Sequence, residues 1–292
     1  MSSPVLAARR VVLADYLDLT KPRITLMVML TASVGFVVAS AQVRAAALLG
    51  MAAGTGLVAA GASALNMVLE RRTDARMLRT RLRPVPAGRV SPGEALTFGV
   101  ALTAAGLVAL HWLSGPLSMT VALVTWASYL FGYTPLKTVT SLSTIVGAFP
   151  GALPPVIGWA AARGSIDAGA LVLFAILFLW QIPHFLAIAW IYREDYARGG
   201  LPMLPVIDPE GRLTGRQAVA NSLALLLVSM TPALAGMAGR VYLFGAIALG
   251  ILLTTMACRV AVQRSLAAAR GLFVASILYL AGISALLIAN RR

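Results

Sequence analysis

Residues 45–84 read AAALLGMAAGTGLVAAGASALNMVLERRTDARMLRTRLRP, and this stretch joins a long apolar segment to a dense polar one. The apolar part, 45–69, exceeds the about 20 residues that a helix needs to cross the hydrocarbon core of a bilayer. Three acid or amide side chains and six arginines follow within 66–84. The stretch therefore predicts a transmembrane helix that ends in a polar cluster at the membrane surface.

The whole chain has the composition of a membrane protein. Of its 292 residues, 59% are hydrophobic and 12% are charged, and its mean hydropathy is +0.86, which is too apolar for a soluble domain of this length. We therefore predict an all-α, polytopic membrane protein in one integral domain over 1–292, with an N-terminal tail of about residues 1–20. Nine apolar runs predict its transmembrane helices: 24–40, 45–69, 93–113, 116–132, 141–161, 168–191, 215–236, 239–258 and 270–290.

The distribution of basic residues predicts the orientation. Lys and Arg resist translocation and accumulate in short cytoplasmic loops. With a cytoplasmic amino terminus, 19 of the 24 Lys and Arg lie inside, so we predict a cell inner membrane protein with loops 70–92 and 192–214 in the cytoplasm. This topology, together with attraction to anionic lipids, accounts for the net charge of +14 without a nucleic-acid partner. The single Cys258 excludes an internal disulfide.

The first polar cluster has the spacing of a column of metal ligands. Asn66, Glu70 and Asp74 follow one another at four-residue intervals, which places them on one face of a helix. Their oxygens suit Mg²⁺, which leaves positions for substrate phosphates. Arg79 and Arg83 can then offer forked donors to those phosphates. The alternative is a solvated helix end with this spacing by chance.

A second polar cluster follows the sixth run, in QIPHFLAIAWIYREDYARGGLPMLP (181–205). Its acids lie just beyond the membrane, and polar residues in the run itself are spaced to continue on one helical face into the bilayer. The alternative for the membrane histidine is a hydrogen bond to a neighbouring helix. The candidate side chains are Gln181, His184, Tyr192, Arg193, Glu194 and Asp195.

Basic residues near the ends of two other apolar runs are further candidate site residues. Lys137 in YTPLK (133–137) is a candidate contact to an anionic head group, together with the hydroxyl of Tyr133. Lys21 and Arg23 in LTKPRIT (19–25) are similar candidates, and both fit equally well as topology signals.

Local signals predict two further features. Ser91, Pro92 and Glu94 predict a capped helix start, so Glu94 is interpreted as a capping residue. In the fifth run, three prolines among glycines predict a kinked helix that a neighbouring helix or a planar ligand approaches closely.

These features together favour a lipid diphosphate, bound at the membrane surface with its tail in the bilayer. A metal ion and cations that neutralise the developing charge make diphosphate a better leaving group. The allylic carbocation that remains must be kept from water, which an apolar helical bundle achieves. The sequence therefore predicts an enzyme for prenyl transfer.

At this point several stretches resemble a known family. The segment 66–84 is similar to the first aspartate-rich motif of the UbiA superfamily of intramembrane prenyltransferases. The stretches that resemble its protoheme IX farnesyltransferase (haem O synthase) branch are LTKPRIT (19–25), YTPLK (133–137), VGAFPGALPPVIGWAA (146–161), WQIPHFLAIAW (180–190), and YREDY with GLPMLP within 192–205. The likeness spans residues 15 to about 210.

The resemblance implies a bundle of nine transmembrane helices around a central cavity, with Mg²⁺ and farnesyl diphosphate between two acidic motifs. It implies a transfer of the farnesyl group to a vinyl group of haem b with addition of water, which gives haem O and diphosphate. A haem A synthase or a terminal oxidase assembly is the protein partner it suggests.

Residue by residue, the resemblance implies a first motif at Asn66, Glu70 and Asp74, where the superfamily usually has aspartate at position 70. It implies that Glu194 and Asp195 form the second motif. The roles carried over for the remaining residues are a diphosphate contact for Lys137, phosphate contacts for Arg79 and Arg83, and a haem contact for His184.

Two alternatives remain. The same chemistry could act on a quinone precursor or another aromatic acceptor, which would need a polar pocket for a phenol or ring carboxylate. A secondary transporter also has kinked helices with buried polar groups. Against it, the acids cluster at one surface rather than at the midplane of the membrane.

Overall fold

The structure, a computed structural model, describes residues 13–292. The described residues form helices and no strand, with one isolated bridge between Ala238 and Arg291. The elements are α1 (Leu13–Leu19), α2 (Pro22–Ala39), α3 (Ala45–Leu69), α4 (Arg71–Asp74), α5 (Pro92–Ser114), α6 (Pro116–Ala127), a π-helix (Ser128–Tyr133), α7 (Thr134–Leu136), α8 (Ser143–Ala152), α9 (Pro154–Arg163), α10 (Ala168–Ile191), α11 (Arg193–Arg198), α12 (Leu204–Ile207), α13 (Arg212–Val228), α14 (Thr231–Leu234), α15 (Arg240–Gln263) and α16 (Leu266–Ala289).

Eight helical segments within 13–292 are long and apolar enough to cross a membrane. Two of them are composite, because α8 joins α9 and α13 joins α14. The predicted fourth run, 116–132, is not a single α-helix, since it is divided between α6 and the π-helix. The prediction of an all-α, polytopic membrane protein is confirmed, and nine is an approximate count of its crossings.

Small residues let α3 and α5 approach closely. A Cβ added to Gly61 on α3 would lie 2.6 Å from the carbonyl oxygen of Gly99 on α5. One added to Gly106 would lie 2.7 Å from the backbone nitrogen of Val58. Such contacts are typical of helix pairs in membranes, where van der Waals packing replaces the hydrophobic effect between helices. This pair fixes the end of α3, which carries the first acidic motif.

The fifth run is broken at Leu153, between α8 and α9, as its prolines predict. Its glycines face other helices. A Cβ on Gly158 would clash with the carbonyl oxygen of Ala32 on α2, and one on Gly151 would clash with the side chain of Gln181 on α10. The prediction of a neighbouring helix is therefore confirmed, whereas a planar ligand at these two glycines is wrong because protein atoms already fill the space.

The helices follow one another around the bundle, and α16 contacts α2, so that the first and last long helices are neighbours. Large apolar side chains on the outer surface are widely exposed, including Trp112 at 79% and Val262 at 80%. Such exposure is costly in water but not in lipid. The outer surface of the bundle is therefore the surface that contacts the bilayer.

The helix start at α5 is confirmed. The Ser91 side chain accepts a hydrogen bond from the backbone N–H of Glu94, whose side chain accepts one from the backbone N–H of Ser91. Glu94 therefore serves the helix cap.

The predicted tail of about residues 1–20 contains a helix, α1, which the sequence analysis missed. Tyr16 contacts Phe98 edge to face, and Leu19 is buried. Arg89 donates to Asp15 at 2.6 Å. Arg89 thus anchors α1. Residues 1–12 of the predicted tail lie outside the described residues.

Candidate active site

The first acidic motif forms the predicted column at the end of α3. The backbone N–H of Glu70 donates to the carbonyl of Asn66 at 2.9 Å, and that of Asp74 donates to the carbonyl of Glu70 at 2.8 Å. The helical spacing therefore continues from α3 through α4, although Glu70 lies between the two. All three side chains are buried, with Asn66 and Asp74 only 1% exposed. The three oxygen-bearing groups lie one turn apart along one side of the helix.

Each member of the column has its own cation. Lys21 Nζ donates to Asn66 Oδ1 at 2.8 Å. Lys137 Nζ donates to Glu70 Oε1 at 3.0 Å, and Arg83 donates to Asp74 Oδ2 at 2.7 Å. We call these six residues the first cluster: Asn66, Glu70, Asp74, Lys21, Lys137 and Arg83.

Three separate parts of the sequence supply these cations. Lys21 precedes α2 in the left-handed conformation, with φ of 46°, and Lys137 follows α7. With three cations and two carboxylates, the first cluster has an excess of positive charge. Such an excess favours an anionic ligand.

Electrostatic interactions within the first cluster change the protonation equilibria of its members. Burial, together with repulsion from Arg83, lowers the pKa of Lys21 to about 8. Burial alone would raise the pKa of Glu70, but Lys137 and Lys21 outweigh it and hold this pKa below its ordinary value. Glu70 is therefore held as a carboxylate, which is the form that binds a metal ion.

Lys137 shows the opposite balance. Burial alone would lower its pKa, but the interactions with Tyr133 and Glu70 outweigh burial and raise the pKa above its ordinary value. The ammonium group also lies 5.5 Å from the centre of the Tyr133 ring. The structure thus brings Tyr133 and Lys137 together beside the first motif, and Lys137 is held in the charged form.

Thr134 is a residue of this site that the sequence analysis did not single out. The Asn66 amide donates to its hydroxyl at 3.1 Å, and this hydroxyl donates to the carbonyl of Tyr129 at 2.9 Å. Through Thr134 on α7, the two bonds together connect the column to the π-helix, an irregularity that is frequent at functional sites. The position of Thr134 in YTPLK, between the candidate residues Tyr133 and Lys137, was the signal that could have identified it.

The donor set of the first motif fits Mg²⁺. Asp74 Oδ1 is buried and has no hydrogen-bond partner among the described residues, so one carboxylate oxygen in the column is left for a ligand. Amide and carboxylate oxygens are the ligands this ion takes, with waters and substrate phosphates in its remaining positions. Within 13–292 no three His, Cys, Asp or Glu side chains converge on a common metal position, so waters and phosphate oxygens would complete the coordination.

The second acidic motif lies against the loop that follows the first. Asp195 Oδ1 accepts from the backbone N–H of Leu78 at 2.7 Å, and its Oδ2 accepts from that of Arg79 at 3.2 Å. Arg198 donates to Oδ1 at 3.0 Å. The second motif therefore contacts the loop that follows the first motif, and a metal position shared by the two motifs stays a prediction. Burial alone would raise the pKa of Asp195, but these hydrogen bonds outweigh it and lower the pKa.

The other acid of the second motif has a different environment. Glu194 is exposed and forms no salt bridge to a described residue. Its neighbour Arg193 is also exposed and lies 4.9 Å from the centre of the Trp190 ring. Of these two acids, which are adjacent in the sequence, Asp195 is therefore buried and Glu194 is exposed.

The two candidate arginines of the 79–83 segment point to different places. Arg83 contacts Asp74, whereas Arg79 lies over the ring of Tyr192 at 4.9 Å and donates to the Tyr196 hydroxyl at 3.4 Å. Only one of them therefore joins the first cluster. Arg23, the remaining basic candidate, is exposed.

The helical face predicted for residues 181–195 does not extend to Asp195. Gln181 donates to the carbonyl of Ala148 on α8 at 3.2 Å, whereas His184 Nδ1 contacts the hydroxyl of Ser276 on α16 at 2.8 Å. The helix α10 then ends at Ile191, and Asp195 belongs to α11. Helical spacing places residues on a common face only while the helix continues.

His184 lies in an aromatic stack. Its ring packs against Trp180 at 4.9 Å and Phe273 at 5.2 Å between ring centres. The Trp180 indole also donates to the carbonyl of Ser276 at 2.6 Å. These contacts join α10 to α16, which agrees with the alternative of a hydrogen bond to a neighbouring helix, and the haem contact of His184 stays a prediction.

Comparisons with known proteins agree with this architecture. The model of the UbiA prenyltransferase family matches residues 28–286. The protoheme IX farnesyltransferase of Solibacter usitatus (strain Ellin6076) is 50% identical over 288 residues, which are 95% of this chain and 98% of that protein.

Two solved structures share the fold. A structure of digeranylgeranylglyceryl phosphate synthase has a TM-score of 0.80 at 16% identity, over 95% of this chain and 98% of that one. A UbiA homologue from Archaeoglobus fulgidus, bound to GPP and Mg²⁺, has a TM-score of 0.68 at 18% identity, over 94% of this chain and 99% of that one.

Proposed function

The chain belongs to the UbiA prenyltransferase family, and we propose that it is a protoheme IX farnesyltransferase, which transfers the farnesyl group of farnesyl diphosphate to a vinyl group of haem b. The name and the 50% identity of the Solibacter relative over 98% of its length support this substrate pair. Family membership makes the chain an intramembrane prenyltransferase and leaves no support for the transporter alternative.

The observation that carries the proposal is the column formed by Asn66, Glu70 and Asp74, in which each side chain contacts a separate cation. Lys21, Lys137 and Arg83 can transfer their hydrogen bonds from the column to the oxygens of a diphosphate. Each such bond is charge-assisted and favours the ionised phosphate. The same three cations lower the free energy of the diphosphate as negative charge develops on it.

The column would hold Mg²⁺ through the oxygens of Asn66, Glu70 and Asp74, as the unpartnered oxygen of Asp74 suggests. When bound, the ion neutralises charge on the leaving diphosphate. The Mg²⁺ in the Archaeoglobus homologue supports this expectation for the family fold. A direct metal contact of Glu194 or Asp195 stays a prediction, since Asp195 already accepts three hydrogen bonds.

In the proposed reaction the bond between C1 of the farnesyl chain and the diphosphate oxygen breaks, and diphosphate leaves with the electron pair. The π electrons of a haem vinyl group form the new bond to C1. Water then adds to the resulting cation and releases a proton, which gives the hydroxyethylfarnesyl side chain of haem O. The apolar helices contribute by excluding other water from the allylic cation.

We propose the orientation that the basic residues predict. The loops that carry both acidic motifs lie at the same end of the bundle as Arg264, at the turn between α15 and α16. The excess of Lys and Arg at this end favours a cytoplasmic site in the cell inner membrane. Association with a haem A synthase or a terminal oxidase assembly stays a prediction.

The direct test is incubation of the purified protein with Mg²⁺, farnesyl diphosphate and haem b, followed by mass analysis of the porphyrin. We expect a porphyrin that has gained one farnesyl group and one hydroxyl group, and no product without Mg²⁺. A parallel reaction replaces haem b with an aromatic acid that serves as a quinone precursor. Prenylation of that acid together with an unmodified porphyrin would contradict the proposal and select the alternative acceptor.

A further inference from the structure

A cavity lies at the second acidic motif, and Leu78 and Arg79 from the loop after the first motif also line it. Its volume is about 430 Å³, within the range of small-molecule sites. Arginines from three separate parts of the chain line it: Arg79, Arg193, Arg198 and Arg264. None of the six residues of the first cluster is among its lining residues.

The charge of this arginine cavity is positive. Its four arginines face two carboxylates, those of Glu194 and Asp195. Asp195 already accepts two backbone hydrogen bonds in addition to its pair with Arg198. The other three arginines, at positions 79, 193 and 264, form no salt bridge to any residue in 13–292. Positive groups therefore remain for an anionic ligand.

The walls of the arginine cavity are aromatic and apolar as well as basic. Trp190 and Tyr192 line it beneath the guanidinium groups of Arg193 and Arg79. The exposed side chains of Leu78 and Leu266 add apolar surface. A small, fully hydrated anion would gain nothing from such walls, whereas a flat, apolar molecule with an anionic edge would contact both kinds of surface.

We propose that the arginine cavity binds the two carboxylates of the haem acceptor. This inference rests on the proposed function, which makes haem b the second substrate. Guanidinium groups bind carboxylates through paired hydrogen bonds and also stack on flat rings. Arg193 and Arg264 supply the principal contacts, because neither pairs with an acidic side chain of the described chain, whereas Arg79 already donates to the Tyr196 hydroxyl.

The position of the cavity suits the chemistry of the porphyrin. The two propionate groups and the two vinyl groups of haem b lie towards opposite edges of the ring. Carboxylates held at the polar end of the bundle would direct the vinyl edge towards the apolar interior, since burial of the charged edge would cost far more. In this arrangement the 79–83 segment contributes to both sites, with Arg83 at the first cluster and Arg79 at the arginine cavity.

The test measures haem binding without farnesyl diphosphate. Haem b and its dimethyl ester, in which both carboxylates are blocked, are titrated by absorbance into the full-length protein in phosphatidylcholine nanodiscs. The variants are Arg193→Gln, Arg264→Gln and the double variant. Arg259→Gln is the matched control, because Arg259 is exposed on α15, has no salt bridge to a described residue and does not line the cavity. The KM for farnesyl diphosphate is measured in parallel.

We expect the double variant to bind haem b about tenfold or more weakly than the wild type, with smaller losses in the single variants. The dimethyl ester should bind wild type and double variant equally, and Arg259→Gln should behave as the wild type. Unchanged haem affinity in the double variant would overturn the inference. A tenfold rise in the KM for farnesyl diphosphate with unchanged haem affinity would also overturn it and assign the cavity to diphosphate.

Two further results separate the possible sources of error. The haem affinity could prove independent of the arginines while phosphatidylglycerol in the nanodiscs binds the wild type more strongly than the double variant. In that case the cavity binds lipid head groups and the inference is wrong. If the wild type binds haem through these arginines but yields no farnesylated porphyrin, the inference stands and the proposed reaction fails.

Discussion

The two acidic motifs have similar sequences, each with carboxylates among arginines, but different groups satisfy their carboxylates. Glu70 and Asp74 contact the side chains of Lys137 and Arg83. Asp195 instead accepts hydrogen bonds from the backbone N–H groups of Leu78 and Arg79, in the loop after the first motif, and from Arg198 on its own helix. The first motif is held by long side chains and the second largely by backbone.

This difference separates ligand binding from positioning. A Lys or Arg side chain can rotate to a phosphate when one arrives, because its own geometry is adaptable. A backbone N–H is fixed by the fold and cannot follow a ligand. The first motif is therefore suited to exchange its partners for substrate and metal, whereas Asp195 is suited to hold the 78–79 segment beside the site.

The largest expected effect tests the first motif. We expect Asp74→Asn to reduce product formation about 10²- to 10³-fold, because the column loses a charged oxygen that faces the leaving group. Mass analysis of the porphyrin measures it. Glu210→Gln is the matched control, since Glu210 is exposed and pairs only with Arg212 among the described residues. Normal turnover in Asp74→Asn, with normal membrane insertion, would refute the metal role.

The next effect tests whether the cations of the first motif bind the diphosphate. We expect Lys137→Gln to raise the KM for farnesyl diphosphate about tenfold, because one charge-assisted hydrogen bond is lost. Steady-state kinetics at saturating haem b measure it. Arg216→Gln, which removes one exposed positive charge elsewhere, should leave the KM unchanged. A KM that stays at the wild-type value in both variants would assign Lys137 to the structure of α7 alone.

A smaller effect tests the positioning role of the second motif. Asn at position 195 can accept through one side-chain atom but not through both, so Asp195→Asn should lower the free energy of unfolding by about 1–3 kcal/mol. Thermal unfolding measures this loss. The Mg²⁺ concentration for half-maximal activity should remain near that of the wild type. A large rise in that concentration would show that Asp195 binds the metal directly and that the two motifs act alike.

The smallest effect concerns the exposed acid of the second motif. We expect Glu194→Gln to change turnover within about twofold, because an exposed charge without a salt bridge contributes little. If the arginine cavity binds carboxylates, removal of this negative charge should slightly strengthen haem binding in the absorbance titration. A severe loss of turnover would instead support Glu194 as a metal ligand.

Local sequence signals were sufficient for much of the fold. The apolar runs predicted the transmembrane helices, the prolines of the fifth run predicted its break, and Ser91 with Glu94 predicted a capped helix. Each of these features depends on neighbours within a few residues or on transfer of an apolar segment into lipid. The helix α1 was missed because it is stabilised by distant contacts, such as the one between Asp15 and Arg89.

The candidate site was predicted in part. Four-residue spacing correctly placed Asn66, Glu70 and Asp74 along one side of a helix. The same reasoning failed for Asp195, because α10 ends before the second motif. No spacing rule could show that Arg83 would contact Asp74 while Arg79 contacts Tyr192 and Tyr196.

The sequence by itself determined that the protein is a helical membrane bundle with two acidic motifs, because hydrophobicity and helical periodicity are local properties of a chain. Only the tertiary structure decided which cation meets which acid. Lys21 and Lys137 reach the first motif from 45 and 67 positions away, and such partners are chosen by the packing of helices. For the same reason the arginine cavity, whose residues come from three distant segments, was visible only in the folded molecule.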